Sequence, residues 1–369
     1  MPSPSNKGAM ISIASISEKV HAGERIGDEE ALFLFESPQL LETGALAAFV
    51  NEQRNGRRVF FNVNRHINPT NICVNRCRFC AFSRTAEAPD AYVLDLEQIG
   101  NRAREAVAQG ATEIHMVGGL HPELPFEFYL EMLRTVRSVS PALHIKAFTA
   151  VEIEYLASLA GLSIPATLIR LKEAGLGSLP GGGAEIFDAG VRERLCPEKI
   201  SGERWLEIME QVHLAGLRSN ATMLYGHLES HADRVDHLRR LRELQDRTGG
   251  FQTFIPLAFQ PENNPLSIPG TKGTTGVDDL KTLAIARIYL DNFANIKAYW
   301  VMLGEKIAQV ALAFGVNDLD GTVVEERIGH DAGAASPQNL SREEIVALIR
   351  KAGRVPVERD TLYNALRTY

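Results

Sequence analysis

Cysteine is scarce in this chain, with four in 369 residues. So few cannot build a disulfide framework, which points to a reducing compartment. Basic residues are not in excess: 39 lysines and arginines against 46 aspartates and glutamates leave a net charge of −7. Binding to nucleic acid leans on basic surface, so that class is disfavoured. No uninterrupted apolar run approaches the roughly 18–20 residues of a membrane-spanning helix. The first nine residues, rich in Ser, Pro and Asn, hold no apolar stretch of the kind a secretory signal needs. Low-complexity tracts are missing too. What remains is an ordinary globular composition, 45% hydrophobic and 23% charged. The expectation is a cytoplasmic protein with neither membrane nor nucleic acid as a partner.

Three of the four cysteines fall together in Cys73-Val74-Asn75-Arg76-Cys77-Arg78-Phe79-Cys80. A [4Fe–4S] cluster is normally held by four thiolates. Three leave one iron open to a small chelating ligand, which can then receive an electron. A structural zinc site is the alternative, but it wants four Cys or His donors at short spacing. The nearest histidine is His66, seven residues before Cys73, so zinc needs a distant fourth donor. Cys196 stands alone before Pro197 and reads as structural. A non-catalytic iron–sulfur electron carrier is a further alternative, though a carrier normally saturates its cluster with four cysteines.

The pattern C-x3-C-x-aromatic-C, made by Cys73, Cys77, Phe79 and Cys80, resembles the radical S-adenosylmethionine (SAM) superfamily. The resemblance implies a [4Fe–4S] cluster on Cys73, Cys77 and Cys80, with the amino and carboxylate groups of SAM on the open iron. One electron then splits the sulfonium bond into methionine and a 5′-deoxyadenosyl radical. An electron donor such as flavodoxin or ferredoxin is implied as a partner.

The rest of the chain reads as α/β. Residues 1–14 read as a flexible tail and 15–57 as an N-terminal helical segment, with Leu40, Leu41, Ala45, Leu46 and Phe49 at helical spacing. Short apolar runs then predict strands at 59–64, 113–117, 144–148, 177–179, 219–224, 251–259, 296–302 and 314–317. Helical patterns lie between most of them. Asp95 starts one that Gly110 ends, and Ser201 starts another that Gly216 ends. Eight strands with helical crossovers fit a closed parallel (β/α) barrel of TIM type over 58–321 better than a doubly wound open sheet. Residues 322–369 break the rhythm and read as a small appendage packed on the barrel.

Such barrels place their sites at the C-terminal strand ends. The cysteine run follows the first strand. After the second comes Gly118-Gly119, whose missing side chains let backbone approach a ligand. In the superfamily such a pair contacts the SAM amino group. His115 reads as packed within its strand, and His121 as facing either the ligand or the loop. After the fourth strand comes Pro180-Gly181-Gly182-Gly183-Ala184-Glu185. No Lys-Ser/Thr follows, which argues against a phosphate loop. Glu185 is a candidate acceptor for ribose hydroxyls, or a solvated loop residue. The SAM-binding candidates are therefore Phe79, Gly118, Gly119 and Glu185. The catalytic candidates are His66 and Asn68 ahead of the cluster and His227 after the fifth strand. Asn71 reads as a partner of the loop backbone.

A narrower resemblance rests on three segments. They are His66-Ile67-Asn68-Pro69-Thr70-Asn71-Ile72-Cys73 and on to Phe82, Leu179 through Phe187, and Phe254 through Asn264. Together they resemble the aminodeoxyfutalosine synthase family of the futalosine route to menaquinone, over about residues 30–365. The sister cyclase family carries an aromatic where Leu257 stands and Gly-Asn where Glu262 and Asn263 stand. The resemblance implies SAM as co-substrate. Its radical adds to the alkene of 3-[(1-carboxyvinyl)oxy]benzoate, an enolpyruvyl benzoate, giving 6-amino-6-deoxyfutalosine. Hydrogen abstraction, as in the dehypoxanthine futalosine cyclase or the deazaflavin synthases, is the alternative. A dicarboxylate substrate on a net acidic protein needs local cations; His66, Arg84, Lys146 and His227 are the candidates.

Overall fold

The computed structural model describes residues 11–266 and 273–369. Residues 1–10 of the expected tail lie outside them. Ile13 and Ala14, also assigned to that tail, are already helical. Ser12 and Ser15 cap the helix Ile13–His21 reciprocally, so it starts earlier than its weak apolar pattern suggests. Two further helices follow, Asp28–Glu36 and Leu40–Asn55.

Eleven strands follow among the described residues: β1 Arg58–Asn62, β2 Asn64–Ile67, β3 Glu113–Met116, β4 His144–Ala147, β5 Ser178–Leu179, β6 Arg218–Tyr225, β7 Phe251–Ala258, β8 Asn295–Ile296, β9 Asp318–Gly321, β10 Val355–Arg359 and β11 Ala365–Thr368. Strands β2 to β8 form one seven-stranded sheet in chain order. Every pair in it is parallel. The second sheet runs β11-β10-β1-β9.

The α/β barrel expected from the sequence is present, with three differences in its strands. The run expected as one strand at 59–64 belongs to two sheets. Its first half pairs with β9 and β10, while Asn64 begins the pairing with β3. The strand expected at 296–302 ends at Ile296, and the chain re-enters a helix at Trp300. The strand expected at 314–317 is irregular. Phe314 is buried there against Gly44, where an added Cβ would lie 2.4 Å from its ring. Asn317 is spent on tying β8, its Oδ1 accepting from Ile296 N at 3.0 Å and from Arg287 at 2.6 Å.

Closure of the ring falls to residues 317–324. On one side Asn317 N donates to Ile296 O at 3.2 Å, and Ala298 N to Asp318 O at 2.9 Å. On the other side His66 N donates to Val324 O at 2.8 Å, and Val323 N to Asn64 Oδ1 at 2.8 Å. Buried ion pairs run from this seam into the neighbouring strands. Lys146 meets Glu113 at 2.7 Å, Lys297 meets Asp320 at 2.9 Å, and Arg359 grips Asp318 at 2.7 Å. Lys146, carried above as a substrate-facing cation, is therefore a structural partner of Glu113.

Helices pack outside the sheet with their apolar stripes inward. Leu96–Ala108 shows why: Asp95 and Gln98 make a capping box, and Ile99, Ala103 and Ala106 repeat at helical spacing into the core. No helix among the described residues is long and apolar enough to cross a membrane.

Candidate active site

The cysteine loop leaves β2 and is held by its neighbours' backbone. Cys73 N donates to Arg84 O at 3.1 Å, Val74 N to Leu120 O at 3.0 Å, and Arg78 N to Leu195 O at 2.9 Å. Asn71 bridges the same loop, donating to Asp90 O and accepting from Tyr92 N, both at 2.9 Å. Arg84 is not a cavity cation. Its guanidinium clasps Ala81 O at 2.7 Å and pairs with the exposed Asp90.

Gly118 and Gly119 are the seat of this loop. A Cβ on Gly119 would lie 2.1 Å from Ile72 O and 3.0 Å from the Cys73 Cβ, and one on Gly118 would lie 3.0 Å from Thr70 O. Gly119 N donates to Thr70 O at 2.9 Å. Their lack of side chains thus serves the cysteines as much as any ligand.

A cavity of about 290 Å³ opens between this loop and the strand ends. Cys73, Cys77 and Cys80 lie on its wall, with Phe79, the two glycines, Glu185 and His66. Burial pushes the Cys73 thiol up and the Cys77 thiol up to about 12. Burial thus favours the protonated thiols, and a bound iron would take them as thiolates. Among the described residues no three His, Cys, Asp or Glu side chains converge on one ion. Zinc needs four donors within about 2.3 Å of one centre. A cluster takes each thiolate on a separate iron, which suits three sulfurs spread over one wall. Cys196 is buried in a small apolar group with Cys77, Leu195, Leu224 and Phe259, outside the cavity lining.

The triple glycine brings β5 against β6. A Cβ on Gly181 would lie 2.2 Å from Asn220 O. Beyond it Glu185 stands at φ 48. The buried Arg192 fixes its neighbours by donating to Ala184 O at 2.5 Å and Ile186 O at 3.0 Å. Glu185 is not a solvated loop residue: Lys199 binds it at 2.6 Å and lies 5.0 Å over the Phe79 ring. Lys199 went unnoticed in the sequence, where it is a lone lysine in a loop.

Three further carboxylates line the wall, Glu152, Asp320 and Glu326, and two of them were missed for different reasons. Glu152 sits at N3 of the helix Ala150–Ala160, where Thr149 and Glu152 form a capping box. That role hides a second: Glu152 also accepts from Gly118 N at 3.2 Å. Burial raises its carboxyl to about 7. Glu326 follows the closing segment, far along the chain. It accepts from Gly329 N at 2.9 Å and from His330 at 2.9 Å, a bond that raises His330 to about 9.

His66 stacks on His115, its register partner in β3, with ring centroids 4.3 Å apart and planes 17° from parallel. Burial lowers both imidazoles below the usual range. His115 is on the cavity wall and not merely packed in its strand. Asn68 donates to Val117 O at 2.8 Å, tying β2 to β3, and is not on the wall. His121 turns into its own loop, accepting from Glu123 N at 3.1 Å. His227 is also turned away. One ring nitrogen faces Leu224 O at 3.0 Å and the other accepts from Leu228 N at 2.6 Å, so a tight turn uses up both.

The loop after β7 is fixed as its polar sequence suggests. Gln260 donates to Ala258 O at 2.9 Å and Met302 O at 3.0 Å, and Asn264 to Gln260 O at 3.1 Å. Leu257 and Gln260 both reach the wall.

A parallel α/β barrel with three cysteines on the rim of its cavity and a glycine pair beneath them defines a class, and comparison with known proteins agrees. The chain belongs to the radical SAM superfamily, whose model matches residues 67–241, while a model of the CofH/MqnC C-terminal region matches residues 248–368. It therefore uses a [4Fe–4S] cluster and SAM, and Cys73, Cys77 and Cys80 fit the cluster motif. It is 46% identical to the aminodeoxyfutalosine synthase of Thermus thermophilus, over 96% of both chains. The synthase of Streptomyces coelicolor is 44% identical, over 96% of this chain and 94% of that one. The 5-amino-6-(D-ribitylamino)uracil–L-tyrosine 4-hydroxyphenyl transferase of Methanopyrus kandleri is 48% identical, over 85% of this chain and 86% of its own. Among solved structures, the [FeFe]-hydrogenase maturase HydG of Carboxydothermus hydrogenoformans matches with a TM-score of 0.74 at 20% identity, over 95% of this chain and 80% of that one. Methylornithine synthase (PylB) matches with a TM-score of 0.69 at 18% identity, over 92% and 95%. Both support the fold.

Proposed function

We propose that this enzyme joins the 5′-deoxyadenosyl radical from SAM to the alkene of 3-[(1-carboxyvinyl)oxy]benzoate. The adduct rearranges through the aromatic ring and loses its carboxylate carbon as bicarbonate. The products are 6-amino-6-deoxyfutalosine, methionine and bicarbonate. The observation that carries this reading is the end-to-end match to two synthases, which includes the C-terminal region that closes the ring and furnishes Glu326.

Cys73, Cys77 and Cys80 are the residues proposed to hold the cluster, which when bound supplies the electron that opens the SAM sulfonium bond. Phe79, Gly118, Gly119 and Glu185 are proposed to seat SAM against it. Glu152, which accepts from Gly118 N, is proposed to help fix that glycine seat. Leu257, Ile255, Met302 and Ile328 line the cavity and offer an apolar surface for an aromatic ring. Radical addition needs the 5′-carbon and the alkene in near-contact before the radical forms, and a buried site keeps water and stray hydrogen donors away. We place the enzyme in the cytoplasm, with a reduced flavodoxin or ferredoxin as donor.

A second reading is favoured by the 48% identity to the Methanopyrus transferase: transfer of a tyrosine-derived hydroxyphenyl unit to the aminouracil. One experiment separates the two. Reconstituted protein is incubated anaerobically with SAM, dithionite and either substrate set, and the nucleosides are weighed by mass spectrometry. An adenosyl adduct of the enolpyruvyl benzoate is expected. Free 5′-deoxyadenosine formed only with tyrosine and the aminouracil overturns the first reading.

A further inference from the structure

We propose that His66, His115 and Tyr299 form the seat for the ring carboxylate of the benzoate substrate. The inference rests on the function proposed above and names a binding site within it.

The argument is an account of hydrogen-bond donors. Lys199 is spent on Glu185 at 2.6 Å. The Gln260 amide is spent on Ala258 O and Met302 O. Asn75 and Ser83 keep free side chains within the cysteine loop; away from that loop, three side chains on the wall remain uncommitted. His66 Nε2 is buried with no hydrogen-bond partner. Neither the ring nitrogens of His115 nor the Tyr299 hydroxyl is hydrogen-bonded among the described residues. A buried donor without a partner costs folding free energy, as His66 Nε2 does, and the His115 ring and Tyr299 hydroxyl open on the same cavity with hydrogen-bonding capacity to spare, so the place suits a ligand that accepts.

The three act together. His66 and His115 are register partners in β2 and β3 and stack at 4.3 Å. Tyr299 caps the helix after β8, and His66 and Tyr299 share Glu326 and Asp320 as charged neighbours. Those two acids do not repel an incoming anion as free charges would. Glu326 is held by His330 at 2.9 Å and Asp320 by Lys297 at 2.9 Å. Glu113 and Lys146, the other charges near His66, neutralise each other. The ligand that fits is an anion with several acceptor lone pairs, and a carboxylate has about four.

Depth decides which carboxylate. His66 and His115 lie within their strands, one residue short of Ile67 and Met116, while the cysteine loop begins beyond them. The alkene must reach the SAM end of the cavity, beside the cysteines. The ring carboxylate, at the far end of the molecule, then points down to the histidines.

The test is anaerobic equilibrium binding to reconstituted holoenzyme with SAM present. Two probes are used: the enolpyruvyl benzoate and 2-phenoxyacrylate, which lacks the ring carboxylate. Wild type is expected to prefer the diacid by roughly ten- to hundredfold, the usual worth of hydrogen bonds to a buried charge. Tyr299→Phe and His66→Phe are expected to lose most of that preference, with binding of 2-phenoxyacrylate and cluster content unchanged. Tyr299→Phe removes only an oxygen, so it keeps the test alive if the histidine variant misfolds. Diacid preference kept in both folded variants overturns the seat while leaving the proposed reaction intact. A wild type that neither binds nor converts the diacid overturns the reaction, and the seat with it.

Discussion

Two sets of buried polar side chains share the interior of this ring and are handled in opposite ways. Along the closing seam, charges are matched: Glu113 with Lys146, Asp320 with Lys297, Asp318 with Arg359. On the cavity wall, His66, His115 and Tyr299 keep donors unspent. Buried charge that is paired belongs to the architecture, because removing one partner strands the other. Donors left over on a cavity wall are open to recognition, because a ligand there can complete them. The seam stabilises the barrel, and the wall gives up some stability so that a substrate can restore it.

The comparison can be broken, starting with the largest effect. Cys77→Ala should abolish cluster loading and SAM cleavage, seen as lost iron and lost visible absorbance. Retained SAM cleavage would sink the cluster assignment. Arg359→Met leaves Asp318 buried without its two-pronged partner and should cost about 3–5 kcal/mol in denaturant unfolding. Tyr299→Phe, on the other side of the contrast, should stay within about 0.5 kcal/mol of wild type. Equal losses in the two variants would erase the distinction.

Smaller effects sharpen it. Gly119→Ala drives a methyl to 2.1 Å from Ile72 O and should cost about 1–3 kcal/mol. Its cluster should load poorly, and full loading would show that the loop can move aside. The His330–Glu326 pair gives a pH test. Bonding to Glu326 raises His330 from 6.5 to about 9. The charged imidazole therefore adds stability that is fully present below about pH 6.5 and lost as pH rises through about 9. The difference in unfolding free energy between wild type and His330→Gln should shrink by on the order of 2 kcal/mol across that window. A flat difference rules the pair out as a stabilising contact. Arg84→Ala removes an ion pair to the exposed Asp90 and should cost less than about 1 kcal/mol.

The local chemistry was legible in the sequence. Three cysteines in eight residues, an aromatic before the last and a Gly-Gly after the next strand are short-range signals, and the structure brings them together on one wall. The β/α rhythm gave the barrel. What stayed hidden depends on contacts distant in sequence. Val59 to Asn64 reads as one apolar strand because nothing local says that β10, some 300 residues on, claims its first half. Glu152 was masked by its capping role, which explains a Thr-x-x-Glu without any ligand. Tyr299 caps the helix after β8, Asp320 sits in the closing segment and Glu326 just after it, and none of the three carries a motif. His227 looked like a candidate because it follows a strand, the right address for a barrel site, but its turn consumes both ring nitrogens.

The closing segment also sets a timetable. Asn64 and Thr322, bonded across the seam, stand 258 positions apart, so the hoop stays open until residues 317–324 have been made. An iron–sulfur donor arriving early would meet three thiols on an unfinished wall. Cluster delivery therefore belongs after the circle is locked, once residues 317–324 are in place.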